Sequence, residues 1–201
     1  MTAIADRPVP ASGAPAVTPG LPHVDLLRLR DRLEPAERAR LDAIEDHLQT
    51  RVRPHLTRYW DAEEFAFDLL PGLAELGLGR LVLDGSSSLF QQLVHAEIAR
   101  VDLSLSALVG IHNELNLGMI AGLGSERQKA TWQGRLESFD ALGAFCLTEP
   151  DHGSDIAGGL ATTATRDGDE WVIRGAKRWI GAGTIADVAL VWARDTADGE
   201  I

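Results

Sequence analysis

The chain has 201 residues, 45% hydrophobic and 24% charged, which is enough for one whole domain, part of a second and a packed core. A formal net charge of −11 argues against a nucleic-acid surface, which needs clustered Lys and Arg, but leaves room for a local basic pocket around a phosphorylated cofactor. The single cysteine, Cys146, cannot close an internal disulfide, which suits a reducing, cytoplasmic setting, and no apolar run approaches the roughly 18 residues of a membrane span.

Residues 1–22 hold Pro8, Pro10, Pro15, Pro19 and Pro22 among Ala, Gly, Ser and Thr. Such a segment buries too little apolar surface to offset its ordering entropy, and it has neither a secretory apolar stretch nor an Arg-rich amphipathic pattern. It reads as a disordered leader.

Residues 23–140 read as an all-α domain. Pro35 suits a first helical turn, and Leu41, Ile44, Leu48 and Val52 recur at helical spacing until Pro54 interrupts or ends the helix. A second amphipathic stretch runs from Ala62 through Leu76 and is perturbed at Pro71-Gly72, with Gly77-Leu78-Gly79 as a connector. Ser88-Leu89-Phe90-Gln91 has the form of a capping box opening a helix to Arg100. From Asp102 to Gly122 the apolar residues cover more than one stripe, as in a helix buried between others. Ser125 with Gln128 then offers a second capping box for a helix carrying Trp132 and Leu136.

After Asp140 the period changes, and residues 141–201 read as a β-domain begun but not closed. Ala144-Phe145-Cys146-Leu147 is a short apolar run. Thr163–Arg166 and Trp171–Arg174 flank the hairpin signal Asp167-Gly168-Asp169, with Trp171 and Ile173 on one face and Val172 and Arg174 on the other. Arg178-Trp179-Ile180 and Val188–Ala193 read as further strands.

Thr148-Glu149-Pro150-Asp151-His152-Gly153-Ser154-Asp155 is the densest polar cluster. A strand end followed by such a loop presents amides and hydroxyls to ligands, although an ordinary solvated turn fits the same residues. A hydrolase triad does not fit, since His152, Ser154 and Asp155 are nearly contiguous and glycines do not flank Ser154 at the elbow spacing. Gly181-Ala182-Gly183-Thr184-Ile185-Ala186 has the spacing of a loose dinucleotide fingerprint, but a strand-like segment follows it where a helix is required. The histidines are scattered, His112 is expected to be a hydrogen-bonded core residue, and no metal site is expected.

Phe145–Asp155 closely resembles the signature of acyl-CoA dehydrogenases, and two further segments are similar to motifs of that family: Gly175-Ala176-Lys177-Arg178-Trp179-Ile180-Gly181 and Gly124-Ser125-Glu126-Arg127-Gln128-Lys129. The resemblance covers about residues 24–201 and is greatest to the glutaryl-CoA dehydrogenase branch with the plant short-chain acyl-CoA oxidases. It implies an α+β chain: an N-terminal all-α helical domain, an incomplete antiparallel β-barrel-like middle domain, and a C-terminal helical bundle beyond residue 201.

The resemblance also implies FAD as cofactor and places Phe145, Leu147, Thr148, Ser154, Trp179, Ile180 and Gly181 along it, with Ser154 also touching the CoA-bearing substrate. Donors at Leu147 and Thr148 would stabilise the electron-rich reduced ring. Where many members carry Thr or Ser, Gly181 has no hydroxyl, and where glutaryl-specific members carry an Arg, Ser106 follows Arg100-Val101-Asp102. A hydroxyl pairs a carboxylate poorly, so a neutral short- or medium-chain acyl-CoA is expected, with Ser106 in the substrate site. The implied reaction, a step of fatty acid metabolism, removes an α-proton to a carboxylate base while the β-hydrogen leaves as hydride. That base would be a Glu beyond residue 201, so no catalytic residue is expected among these 201, and the chain alone is expected to be inactive. The implied acceptor is an electron-transfer flavoprotein, or O2 in an oxidase, and the implied assembly a homotetramer. A non-catalytic truncated homologue is the reading from another class.

Overall fold

The computed structural model describes residues 25–201, and the expected leader lies outside the described residues. The chain divides into two compact units, the first ending at Asp140 and the second comprising Ala141–Ile201.

In the first unit, α1 (Pro35–His47) starts with its proline where a missing N–H is harmless. One π-helical turn, Leu48–Val52, passes the chain into α2 (Arg53–Ala62), so Pro54 sits at the start of a new helical segment and the winding continues through it. Leu41, Ile44, Leu48 and Val52 are all fully buried. The stretch 62–76 is broken earlier than its proline suggests: Glu63 adopts a left-handed conformation after α2. A 3-10 turn, Phe67–Leu69, then leads into α3 (Leu70–Glu75), whose first turn accommodates Pro71.

Ser87, one residue before the expected cap, accepts from the Phe90 amide at 3.1 Å and opens α4 (Ser88–Val101). Asp102 accepts from the Leu105 amide at 2.7 Å and opens α5 (Leu103–Gly110), which continues through π-helical winding, Ile111–Leu117, into α6 (Gly118–Leu123). This apolar rod is not covered all round in the described chain, because Leu103, Leu115 and Leu123 are exposed. Ser125 and Gln128 form the full capping box of α7 (Glu126–Glu137). His112 is a core histidine, its Nε2 lying 2.7 Å from the Leu136 carbonyl. A polar network absent from the sequence reading surrounds the buried Arg30, which reaches Asp42, Glu45 and Glu97, while Arg100 grips the same two glutamates.

The second unit contains β1 (Gly143–Cys146), a short turn of helix α8 (Ile156–Gly159), β2 (Thr163–Asp167), β3 (Glu170–Arg174), β4 (Val188–Val191) and β5 (Arg194–Asp195). Only the β2–β3 hairpin is antiparallel, closing through Gly168-Asp169 with Gly168 at positive φ. β1 pairs with β4 and β2 with β5 in parallel, in two separate small sheets with no closed barrel among the described residues. The long connection from Leu147 to Asp187 permits the parallel β1–β4 pairing, since parallel neighbours need a crossover and antiparallel ones do not. β3 is exposed on both faces, so its alternation does not mark one buried side here. Residues 178–180 do not form the expected strand.

Phe90 is the largest fully buried side chain of the first unit, with the Arg40 guanidinium over its ring at 4.9 Å. Phe90→Ala is expected to cost about 3–5 kcal/mol in chemical denaturation. A loss below about 1 kcal/mol would show that the helices do not close on this ring.

Candidate functional site

β1 delivers the chain into the polar loop, and the loop is fastened from below. Glu149 is only 5% exposed, yet both carboxylate oxygens are used. Oε2 accepts the Ala161 amide at 2.6 Å, while Oε1 accepts the Thr162 amide at 2.8 Å and the Lys177 ammonium at 2.9 Å. Lys177 also donates to the Leu147 carbonyl at 3.1 Å, and the Arg178 amide donates to the Thr148 carbonyl at 2.9 Å. The Thr148–Asp155 loop and the 175–181 segment are thus joined by one buried ion pair and one backbone bond.

Burial alone would raise the Glu149 pKa. The Thr162 hydroxyl beside it, close although outside good hydrogen-bond geometry, the Lys177 ammonium and the Ala161 and Thr162 amides outweigh burial and hold the carboxyl at about 2. Burial pushes the Cys146 thiol up, against the pull of Lys177, so it stays protonated at neutral pH. Gly175 is dictated by close approach: at φ +156° a Cβ would overlap Thr162 Oγ1 and come within 2.7 Å of Thr162 Cα.

Trp179 follows this anchored segment with φ +61° and 79% exposure, its ring faced by the Arg178 guanidinium at 4.5 Å. A non-glycine residue held left-handed is strained by about 1–3 kcal/mol, and such strain clusters at ligand sites. Trp179 is therefore no core aromatic of this unit. Phe145 and Leu147 point to one face of the strand path, where the Phe145 ring meets Trp192 edge-on at 5.9 Å. The other face, with Ala144 and Cys146, lines a hollow of about 400 Å³ together with Lys177, Ile180 and Asp187. Ile180 also carries the turn that follows, its carbonyl accepting the Gly183 amide.

Thr148 is half-buried, and Ser154 and Gly181 are exposed. The sequence brings Phe145, Leu147 and Thr148 into one continuous path, with Trp179 and Gly181 tied to it through Lys177 and Arg178. Ser106 belongs to the first unit, where its hydroxyl donates to the His95 carbonyl at 3.1 Å. The Gly181–Ala186 stretch is a turn, its Gly183 amide donating to the Ile180 carbonyl at 3.1 Å, and it runs into strand β4 without opening a helix.

Two family profiles account for almost all of this architecture. Residues 34–140 match the acyl-CoA dehydrogenase N-terminal domain, and residues 144–201 match the acyl-CoA dehydrogenase middle domain. The chain belongs to the acyl-CoA dehydrogenase family.

Among acyl-CoA dehydrogenases, it is 36% identical over 160 residues to mitochondrial isobutyryl-CoA dehydrogenase of Dictyostelium discoideum, covering 76% of this chain and 38% of that protein. It is 38% identical over 125 residues to the human mitochondrial short-chain specific acyl-CoA dehydrogenase, covering 58% and 30%. The crystal structure of glutaryl-CoA dehydrogenase from Mycobacterium smegmatis superposes with a TM-score of 0.78 at 37% identity, over 86% of this chain and 46% of that one. A glutaryl-CoA dehydrogenase of the same organism in complex with FADH2 gives a TM-score of 0.77 at 33% identity, over 86% and 45%. The chain thus spans less than half the length of these relatives. Among the described residues, no helix is long and apolar enough to cross a membrane.

The partners of Glu149 were not legible in the sequence. Lys177 stood in the second motif, but nothing in one sequence links it to a carboxylate 28 positions earlier.

The folded pKa of Glu149 lies below its ordinary 4.5, so the pair's stabilisation is complete above about pH 4.5 and lost as pH falls toward 2. A loss on the order of 3 kcal/mol is expected across that window, read by denaturation at stepped pH, and Glu149→Gln should flatten it. Gly175→Ala is expected to push the 175–178 segment off Thr162, at about 1–3 kcal/mol, with faster hydrogen exchange at the Arg178 amide. Unchanged protection at that amide would contradict the packing described.

Proposed function

We propose that the Phe145–Ser154 loop and the Trp179–Gly181 segment cradle the isoalloxazine of FAD in an enzyme that oxidises the Cα–Cβ bond of a neutral short- or medium-chain acyl-CoA. The observation that carries this reading is the fastening of the two segments by Glu149–Lys177 and by the Arg178 amide on the Thr148 carbonyl. The residues suit a flat conjugated ring with a polar edge. The Trp179 indole is presented to solvent in a strained conformation, Phe145 and Leu147 share a face, and the half-buried Thr148 hydroxyl has no partner among the described residues.

In this reading Trp179 packs on the ring, the Leu147 and Thr148 backbone and the Thr148 hydroxyl bond its pyrimidine edge, and Ser154 contacts both cofactor and CoA chain. Gly181 contributes through its backbone, and Ile180, whose carbonyl accepts the Gly183 amide, completes the contact. When bound, FAD supplies the hydride acceptor. Glu149 is not the base: three N–H donors and a pKa of about 2 make it a poor proton acceptor. Ser106, a hydroxyl already committed to the His95 carbonyl, favours an uncharged acyl end over a dicarboxylate. Electrons pass to an electron-transfer flavoprotein, the whole protein is a homotetramer, and it works in the cytoplasm, although two named relatives are mitochondrial.

A second reading, an oxidase passing electrons to O2, is favoured by Arg178-Trp179-Ile180-Gly181, which leaves no side-chain hydroxyl at position 181. Turnover of butyryl- and hexanoyl-CoA by the full-length product, with oxygen consumption compared against dye reduction, separates the two. Trp179→Ala is expected to weaken FAD binding by about tenfold or more, from lost stacking and buried ring area. Unaltered FAD affinity in that variant, or no turnover with either acceptor, would sink the assignment.

A further inference from the structure

The turn that presents Ser154 carries a polar pair of its own. His152 Nδ1 lies 2.9 Å from Asp155 Oδ2. The backbone on either side is tied down: the Glu149 amide donates to the His152 carbonyl at 2.9 Å, and the Gly158 and Gly159 amides donate to the Asp155 carbonyl at 3.1 and 2.7 Å. Gly159 lies against the pair, and a Cβ there would overlap both His152 Nδ1 and Asp155 Oδ2. The contact is thus housed by a residue outside the signature loop, which an incidental surface pair does not require.

Ser154 stands between the two partners in sequence and makes no bond to either, so the pair fixes the turn without engaging the serine hydroxyl. The charged groups acting on the imidazole are Asp155, Glu149 and Asp151, all acidic, with Lys177 behind Glu149 as its ion-pair partner.

We propose that His152 is a positioning residue: with Asp155 it forms a protonation-dependent clasp that sets the place of Ser154 and hence the grip of this loop on FAD. The proposal rests on the flavin reading above. The bond to Asp155 raises the His152 pKa from 6.5, and the bond to His152 lowers that of Asp155 from 3.8. The charged clasp is therefore complete between those two values. It loses its charge assistance as pH rises through the His152 pKa, when the imidazole keeps at most one N–H toward the carboxylate.

The test uses the full-length product with two near-isosteric variants, His152→Gln and Asp155→Asn, each checked for an unchanged thermal midpoint. Imidazole NMR should place the His152 titration above 6.5 in the wild type and return it close to 6.5 in Asp155→Asn. FAD titration by fluorescence quenching should show wild-type affinity falling by about fivefold from about pH 6 to about pH 8.5, while His152→Gln binds weakly and without slope. A His152→Gln variant that keeps the wild-type slope overturns the proposal, as does an imidazole whose titration is indifferent to Asp155→Asn. No FAD uptake by the wild type at either pH overturns the flavin reading and with it the coupling, whereas an unshifted imidazole removes the clasp alone.

Discussion

Taking a carboxylate out of water is costly unless its charge and both oxygens are satisfied, and Glu149 meets that demand by drawing three parts of the second unit together. It collects amides from Ala161 and Thr162, ahead of β2, and the ammonium of Lys177, which follows β3. Lys177 in turn holds the Leu147 carbonyl at the end of β1. A buried pair of this kind contributes less to net stability than to uniqueness, because few other arrangements of the chain satisfy the same groups. Its consequence here is geometric: the exit of β1 and the segment before Trp179 cannot separate without stranding a charge.

That anchoring explains how the exposed parts keep their shape. The strand pairs are short, and β3 is open on both faces, so the sheets alone impose little order on the loops. Trp179 nonetheless holds a left-handed backbone that a bulky residue avoids. The strain persists because residues 175–178 are fixed on one side by the Gly175–Thr162 contact and the Arg178–Thr148 bond, and on the other by the Ile180–Gly183 turn. An aromatic ring held out rigidly in this way suits stacking against a planar ligand, since its ordering cost is met before binding.

Much of the fold was legible because its signals are local. Helical spacing placed Leu41, Ile44, Leu48 and Val52 in the core, and the Ser125–Gln128 box caps α7 as its sequence reads. Signals that depend on distant partners were less legible. The parallel β1–β4 pairing joins residues about 45 apart, the Arg30 network unites three separate segments, and Trp179 left the strand its neighbours suggested because Lys177 and Gly175 bind elsewhere. At the site, the two motifs were recognisable as sequence, but the bonds that join them, Lys177 to Glu149 and the Arg178 amide to the Thr148 carbonyl, appear only once the chain is folded. The exposure of Trp171, Ile173 and Leu103 was equally unreadable, since apolar periodicity marks surfaces able to be buried and says nothing of what covers them.

The most direct test of the central claim is a double-mutant cycle on the buried pair, with Glu149→Leu, Lys177→Met and the two combined, read by chemical denaturation at neutral pH. If Glu149 and Lys177 act as one unit, each single variant loses about 3–5 kcal/mol and the double variant loses clearly less than the sum of the two, because no unpaired charge remains buried even though the Ala161 and Thr162 amides lose their acceptor. Additive losses, or a Lys177→Met variant as stable as the wild type, would contradict the account.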